Sequence, residues 1–312
     1  MMSLVLGAGG FIGRHLVEEL LSSGQEVVVY DRPATVARIA QSCPQIKPVG
    51  GDFQNETRWN EILEGIDVCY HLISTSVPKS SNEDPIGDVS GNLIGSLQLL
   101  EVVRRKNVRL VFASSGGTVY GTPKCDVLAE DHPTDPLCCY GITKLAIEKY
   151  LRLYHELYGV QSVSLRIANP YGPGQRPNAI QGVIAVFTGR ILRGHVVDVW
   201  GDGTVVRDYL YIKDVVRALV AASSYGGRQT VFNIGSGGGL SLRDILSAIE
   251  DVSGKKADIL YHPPRGFDVP KSVLDIANAR TYLKWEPQVC LRDGLVKTVD
   301  WMLQYLKNNG SD

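Results

Sequence analysis

The segment Gly-Ala-Gly-Gly-Phe-Ile-Gly, residues 7–13, decides the fold expected for this chain. It follows an apolar run over residues 3–6 and opens a stretch, residues 11–22, whose apolar residues recur at helical spacing. A second apolar run, residues 27–30, ends at Asp31. The order strand, glycine turn, helix, strand predicts the first unit of a parallel sheet.

Further units of the same kind follow. Apolar runs at residues 68–73, 108–113 and 162–167 are typical of buried strands, and residues 92–105 and 140–157 of the helices between them. This alternation predicts an α/β fold, a Rossmann-type doubly wound parallel sheet.

The texture changes after residue 168, where prolines and glycines cluster and the elements become shorter. We therefore expect two domains. Residues 1–168 mainly form the dinucleotide-binding domain, and residues 169–312 mainly form a smaller mixed α/β domain that covers a cleft. Some segments of the second domain are expected to cross back to the sheet.

Composition narrows the class of protein. The chain has 312 residues and a net charge of -1, which argues against nucleic acid or an anionic membrane as the main partner. Its six cysteines show no metal-ligand spacing, so we expect no metal and reduced thiols in the cytoplasm. No apolar run is long enough to span a membrane, and the early first strand leaves no room for a signal peptide.

The glycine turn predicts a dinucleotide site. Gly7, Gly10 and Gly13 allow the backbone to approach a pyrophosphate, whose charge meets the N-terminus of the following helix. Asp31 then accepts hydrogen bonds from both ribose hydroxyls and repels a 2′-phosphate, which favours NAD. Arg32 keeps NADP open, because an adjacent arginine accommodates that phosphate.

Tyr140 and Lys144 stand in the run Tyr-Gly-Ile-Thr-Lys. Residues four apart on a helix share one face, so the ammonium is expected to lower the pKa of the phenol. A phenol that loses its proton near neutral pH serves as a base. Beside a dinucleotide, the pair predicts hydride chemistry on an alcohol.

These motifs, in this order, resemble the nucleotide-sugar epimerase group of the extended short-chain dehydrogenase/reductase family. The resemblance covers nearly the whole chain. The matching segments are Asp52-Phe53, His71-Leu72 and residues 7–13, 114–121, 140–144, 165–175, 207–212 and 232–237.

The resemblance implies a reaction. Tyr140 would take a proton from a sugar hydroxyl, usually O4, while hydride passes to NAD and leaves a 4-keto sugar. Lys144 would bind the nicotinamide ribose and lower the Tyr140 pKa, and the positive nicotinamide should help. Rotation of the keto sugar and return of the hydride give the epimer without consuming cofactor.

The resemblance also implies further cofactor contacts. Asn92 would donate to the cofactor from a helix start, or would merely cap that helix. Asp52 and Phe53 would address the adenine. The remaining cofactor contacts are Phe11, Ile12, Leu72, Ser74 and Ser114.

One position departs from the family pattern. The family places a serine or threonine four residues before the tyrosine of Ser-Ser-x-x-x-Val-Tyr-Gly, where this chain has Gly116. Thr118 or Ser115 is then expected to bond the sugar O4. Related dehydratases carry Asp-Glu just after that position, and Gly117-Thr118 here disfavours dehydration.

The substrate side is also read from the resemblance. Asn169, Arg207 and Arg265 would hold the diphosphate of a UDP-sugar, because arginine forks suit phosphate oxygens. Ser272 stands where a bulky residue restricts the sugar, so its small size predicts that N-acetylated sugars are tolerated. Val199 and Trp200 would wall the pocket of the base, and the other substrate contacts are Val183 and Asp268.

Two alternative functions stay open, and the sequence also predicts an oligomeric state. A reductase or dehydrogenase on the same scaffold would consume its cofactor, and a non-catalytic NAD-sensing protein would not turn over at all. Surplus apolar residues on two helices, as in family members that pair them, predict a homodimer. Those residues are Leu93, Leu97, Leu100, Ile147, Tyr150, Leu151 and Tyr154.

Overall fold

The computed structural model describes residues 1–178, 182–264 and 269–309. Its strands are β1 (Met2–Leu6), β2 (Glu26–Asp31), β3 (Lys47–Gly50), β4 (Val68–His71), β5 (Arg109–Ser115), β6 (Ser162–Ile167), β7 (Asn169–Tyr171), β8 (Val197–Trp200), β9 (Val206–Arg207), β10 (Tyr209–Tyr211), β11 (Val231–Ile234), β12 (Leu240–Ser241), β13 (Ile259–His262) and β14 (Lys271–Ser272).

The α-helices surround these strands. They are α1 (Phe11–Ser22), α2 (Pro33–Ser42), α3 (Trp59–Ile62), α4 (Pro78–Glu83), α5 (Pro85–Asp88), α6 (Gly95–Lys106), α7 (Cys139–Tyr158), α8 (Val183–Arg193), α9 (Ile212–Ser223), α10 (Leu242–Ser253), α11 (Ala277–Tyr282) and α12 (Leu291–Asn309). A 3₁₀ turn covers Phe53–Asn55, and a π-helical turn, Val89–Ile94, joins α5 to α6.

Seven strands form the main sheet, in the order β11-β6-β5-β4-β1-β2-β3. All six pairings are parallel. The strand order reverses between β1 and β4, which is where ligands bind in open parallel sheets. The predicted α/β fold is therefore confirmed.

The sheet is buried on both sides, as its apolar strands require. One core, with Val5, Val29 and Val111, lies on the face covered by α1 and α9. The other, with Leu6, Phe112 and Leu151, lies on the face covered by α6 and α7. Strand β11 comes from the second half of the chain and joins the sheet beside β6, as expected for a segment that crosses back. The division at residue 168 stays a prediction.

The second half also carries three small sheets. Strands β10 and β7 pair, β13 pairs with β8, and β9 lies between β12 and β14. Several of these strands have two residues. Such strands exist because of their partners, so hydrophobic periodicity could not indicate them.

Candidate active site

The glycine turn connects β1 to α1 at the carboxyl edge of the sheet. Gly7 has a φ of 83°, and its carbonyl oxygen accepts from Gly10 N–H at 3.0 Å. A Cβ on Gly13 would lie 2.2 Å from that oxygen, so only glycine fits. The N-cap, Gly10, offers no side-chain cap, so the first N–H groups of α1, those of Phe11 and Ile12, are available to an anion. The turn therefore fits a pyrophosphate.

Asp31 lies beside this turn, at the end of β2. One carboxylate oxygen accepts from Gly9 N–H at 3.0 Å and the other from Arg32 N–H at 2.8 Å. These bonds fix the carboxylate against the glycine turn, where a ribose hydroxyl can reach it. Arg32 is exposed at the start of α2.

The Asp52–Phe53 pair follows β3. Asp52 caps the 3₁₀ turn, accepting from Gln54 N–H at 3.3 Å and from the Asn55 amide at 2.7 Å. The Phe53 ring is 5% exposed and packs against Trp59 and His71. Contact with adenine through Phe53 would therefore come from its backbone, and stays a prediction.

Asn92 is placed differently from the expectation. It lies inside the π-helical turn rather than at a helix start, so it does not cap the helix. Its side-chain oxygen accepts from Thr75 N–H at 2.8 Å, and its amide donates to the Asp88 carboxylate at 3.0 Å. The amide therefore ties the helix to the segment after β4, and a direct cofactor contact stays a prediction.

Leu72 and Ser74 stand in that segment. Leu72 N–H donates to the Leu6 carbonyl at 3.0 Å, and a Cβ on Gly7 would lie 3.2 Å from the Leu72 carbonyl carbon. The Ser74 hydroxyl donates to the Ser76 carbonyl at 3.0 Å. Leu72 thus packs against the glycine turn, as a cofactor contact would require.

Tyr140 and Lys144 lie in the first turns of α7. The Lys144 ammonium is 5.6 Å from the centroid of the Tyr140 ring and donates to the Ala113 carbonyl of β5 at 2.9 Å. Tyr140 N–H donates to the Ser81 hydroxyl at 2.9 Å, and Cys139 N–H to the Asn82 side chain at 2.9 Å. Helix α4 therefore caps the start of α7 and fixes the Tyr140–Lys144 pair against the sheet.

Lys144 was expected to lower the pKa of Tyr140, and in the structure it does not. Burial, with smaller contributions from Cys138 and Asp88, raises the pKa of Tyr140 to about 12. Burial lowers the pKa of Lys144 to about 8, against the opposing charges of Asp88 and Glu148. Desolvation is the main cause of both shifts, so burial keeps the phenol protonated at neutral pH.

The hydroxyl groups near the pair have different surroundings. The Thr118 hydroxyl is buried and has no hydrogen-bond partner among the described residues. Thr118 also packs against α7. Its carbonyl oxygen lies so near Gly141 that a Cβ at that glycine would be 2.8 Å from it. The Ser114 hydroxyl donates to Glu148, so a cofactor contact there would use its backbone. Ser115 is half-buried, and its carbonyl accepts from Val119 N–H at 3.3 Å.

Packing explains the glycine at position 116. A Cβ there would lie 2.5 Å from Leu274 Cδ1 and 3.0 Å from the Arg166 carbonyl oxygen, whereas a Cβ on Gly117 would meet nothing within 4 Å. A serine at Gly116 would collide with this wall, so the family hydroxyl cannot stand there unless Leu274 moves.

We therefore expect Gly116→Ala to destabilise the protein by about 1–3 kcal/mol, as overpacking does. Gly117→Ala is the matched control and should leave the free energy of unfolding nearly unchanged. Urea unfolding of the two variants measures the difference, and equal stabilities would contradict the packing account.

A buried polar network, which the sequence did not predict, joins α7 to β6. Glu148, four residues after Lys144 on α7, pairs with Arg166 of β6 at 2.8 Å, and their side chains are 2% and 4% exposed. Arg166 also donates to the Tyr120 hydroxyl at 2.9 Å. From the sequence alone, an acidic residue on a helix is expected to face solvent. The ion pair became visible only when the structure placed Arg166 beside Glu148.

The substrate-side residues come together on neighbouring strands. Asn169 of β7 donates through its side-chain amide to the Asp208 carbonyl at 2.8 Å, next to Arg207 of β9. Ser272 of β14 is buried and is paired in register with Arg207. Two residues beyond Ser272, Leu274 packs against Gly116, so the substrate-side residues adjoin the turn of residues 116–118.

Other predicted contacts shift or lie elsewhere. The Val199 side chain is 1% exposed in the core, while the next residue, Trp200, is 39% exposed, because side chains alternate along a strand. Of the two predicted walls of the base pocket, Trp200 is therefore available to a ligand, whereas the Val199 side chain is not. Val183 begins α8 and is half-buried. Arg265 and Asp268 lie outside the described residues.

Trp200 borders a cavity of about 690 Å³. Its ring stacks on His262 at 5.1 Å, and His262 contacts Asp198 at 2.7 Å. The rest of the lining comes from Gly201, Asp202, Thr204, Val205, Arg243, Tyr261, Pro264 and Pro270. The aromatic wall suits a planar base.

Residues 3–235 match the model of the NAD dependent epimerase/dehydratase family. The chain belongs to this family. It is 38% identical to UDP-glucose 4-epimerase of Mycolicibacterium smegmatis over 96% of this chain and 98% of the relative. This membership confirms the resemblance and the predicted cofactor, NAD.

Solved structures agree with the match. UDP-glucose 4-epimerase of Thermotoga maritima, with UDP-glucose, superposes with a TM-score of 0.92 at 36% identity, over 98% of this chain and 100% of that one. UDP-glucuronic acid 4-epimerase of Bacillus cereus, with UDP-glucuronic acid and NAD, superposes with a TM-score of 0.88 at 33% identity, over 98% and 100%. The relatives thus act on both neutral and acidic UDP-sugars.

Neither a metal cluster nor a membrane-spanning helix occurs in the described part of the chain. Within residues 1–178, 182–264 and 269–309, no three or more metal-ligating side chains are grouped to hold an ion. None of the helices in those ranges is long and apolar enough to cross a membrane.

Proposed function

We propose that this enzyme epimerises a UDP-hexose or UDP-N-acetylhexosamine at C4 through a transient 4-keto sugar, with NAD retained. The observation that carries the proposal is the position of the Tyr140–Lys144 pair. Lys144 bonds to β5 at the carboxyl edge of the sheet, which is the edge that also carries the glycine turn. The turn of Gly116 and Thr118 links the pair by contact to Leu274 and the Arg207 strand. A sugar diphosphate held by Arg207 has its hexose directed at Tyr140.

The residues have distinct roles in this reaction. Arg207 and Asn169 hold the diphosphate, and Tyr140 takes the proton from O4 while Thr118, whose hydroxyl is otherwise unpartnered among the described residues, bonds the same oxygen. Lys144 holds the ribose of the cofactor and keeps a positive charge beside the phenol. NAD, when bound, would supply the acceptor for the hydride of C4. Its positive nicotinamide is the further charge needed to lower the Tyr140 pKa from about 12.

Interconversion without added cofactor tests the reaction. Purified protein should convert UDP-glucose and UDP-galactose into each other with no NAD supplied, because hydride leaves and returns within one turnover. A reductase or dehydrogenase would instead consume NAD(P)H or NAD stoichiometrically, and a NAD-sensing protein would do neither. Dependence on added NADPH would sink the epimerase proposal. NAD is favoured over NADP because the Asp31 carboxylate faces the turn.

Ser272 motivates a prediction about the sugar. A serine that is buried against the Arg207 strand leaves more volume than a bulky residue would, so we expect turnover of UDP-GlcNAc and UDP-GalNAc as well as of the unacetylated pair. Rates with the two pairs should agree within about tenfold, the effect of about 1.4 kcal/mol. Strict rejection of the acetylated pair contradicts this prediction and leaves the epimerase proposal intact.

We also propose a homodimer formed through α6 and α7. Three of the apolar residues named for it, Leu100, Ile147 and Leu151, are instead at most 2% exposed in the core. The exposed apolar side chains of α7 are Ile142, Tyr150, Leu153, Leu157 and Tyr158. Light scattering should give twice the chain mass of 34.1 kDa. The cytoplasmic location and a role in polysaccharide biosynthesis stay predictions.

A further inference from the structure

Asp88 is a buried carboxylate to which the reaction above gives no role. It ends α5 and is 2% exposed. Three neutral donors converge on it: the Thr143 hydroxyl at 2.5 Å, the Asn92 amide at 3.0 Å and the Ser76 hydroxyl. No lysine or arginine hydrogen-bonds to it among the described residues. A buried charge held by neutral donors acts on whatever charged or titratable groups lie nearby.

The nearest such groups belong to the catalytic helix. Thr143 immediately precedes Lys144 and stands three residues after Tyr140, so the Asp88–Thr143 bond fixes that turn of α7. The same helix–turn segment, residues 76–92, also supplies Ser81 to the Tyr140 N–H. The catalytic turn is thus held at both ends by one segment that sequence reasoning did not connect with it.

We propose that Asp88 is a positioning residue for the Tyr140–Lys144 pair, which anchors the helix through Thr143 and sets a negative charge beside both groups. The inference rests on the proposed function, in which this pair handles the O4 proton. The carboxylate balances the Lys144 ammonium in the buried site. It also opposes early loss of the phenolic proton, so the phenol becomes a base only when another positive charge arrives.

The electrostatic surroundings support this role. After burial and Cys138, Asp88 contributes to the raised pKa of Tyr140, and Asp88 and Glu148 oppose the burial that lowers the pKa of Lys144. Another titratable neighbour is His71 at the end of β4, whose pKa burial and Lys144 lower to about 3, so it is neutral. Helix α4, which packs on α7, has only exposed charges, Lys79 and Glu83.

Asp88→Asn tests the charge while keeping the shape and an oxygen for Thr143. Removing a negative charge stabilises the phenolate and destabilises the ammonium, so both pKa values fall. Both limbs of the kcat–pH profile of the NAD-loaded enzyme should then move to lower pH by about one unit or more. Glu83→Gln is the matched control, because it removes an exposed acid of the same segment, and it should move neither limb. A D88N profile with unmoved limbs overturns the proposal.

Thr143→Val tests the anchor, since it keeps the charge and removes the bond. It should lower kcat about threefold to tenfold with both limbs unmoved and bound NAD unchanged. If T143V has the same kcat as the unchanged protein, the anchoring role is wrong. This comparison still tests the proposal if D88N fails to fold.

A readout without turnover separates this inference from the proposed function. In NAD-loaded protein labelled with ¹³Cζ-tyrosine, the resonance lost in Tyr140→Phe is that of Tyr140. It should titrate at lower pH in D88N than in the unchanged protein. If no UDP-sugar is interconverted and this shift still appears, the epimerase proposal fails and the role of Asp88 stands. An unshifted resonance in active enzyme would overturn the role of Asp88 and leave the epimerase proposal standing.

Discussion

Replacing Tyr140 by Phe is expected to lower kcat for the interconversion of UDP-sugars by a factor of about 10²–10⁴, the usual contribution of a positioned acid–base group. The ring should keep its place beside the Lys144 ammonium, because the bond to Ser81 that anchors this residue uses the backbone N–H. The glycine turn and Asp31 are untouched, so NAD content should stay the same. A coupled assay measures kcat, and absorbance after release measures NAD.

Tyr150→Phe is the matched control for this change. Tyr150 lies on the same helix, is 37% exposed and stands outside the site, so its loss should change kcat less than about twofold. If Tyr140→Phe retained kcat within about tenfold of the unchanged enzyme, another group would be the base and the assignment would be wrong.

Removing the Glu148 carboxylate should have the largest effect on stability. Glu148→Ala leaves the Arg166 guanidinium buried without its ion-pair partner, and breaking a buried pair in this way costs about 3–5 kcal/mol. The Ser114 hydroxyl loses its acceptor as well. Urea unfolding at a fixed NAD concentration measures the change in the free energy of unfolding.

Glu26→Ala provides the surface control. Glu26 pairs with Lys47 at 2.5 Å, but their side chains are 63% and 56% exposed, so solvent screens the pair and its loss should leave the free energy of unfolding nearly unchanged. The double change Glu148→Met with Arg166→Met should cost less than Glu148→Ala, because no unpaired charge remains. Equal costs for Glu148→Ala and Glu26→Ala would show that burial does not govern the pair.

Regular elements with strong apolar periodicity were predictable from the sequence. The predicted limits of α1 and β6 coincide with the observed ones. Helices α2 to α5 were not predicted, because they are short and mostly polar and depend on caps. Pro33 opens α2, for example, and the Asp84 side chain accepts from Gly87 N–H to start α5.

The residues of the site also differ in how far the sequence reveals them. Tyr140, Lys144 and the glycine turn carry their chemistry in local spacing, so a sequence reveals them. Asp88 and Glu148 depend on burial by other elements, and nothing in their own neighbourhood distinguishes them from solvated helix acids. The direction of the Tyr140 pKa was also out of reach, since it depends on desolvation that only the packed structure defines.

The π-helical turn Val89–Ile94 restricts how this family member can vary in length. A π turn accommodates an extra residue in a helix, and each residue added to or removed from an α-helix rotates the later residues by about 100°. Asp88 lies before the turn and faces α7, whereas Leu99 lies after it and faces the core. Deleting one residue here would restore a regular helix, but then only one of the two residues, Asp88 or Leu99, could keep its present direction. We expect descendants of this enzyme to keep the insertion or to abandon Asp88.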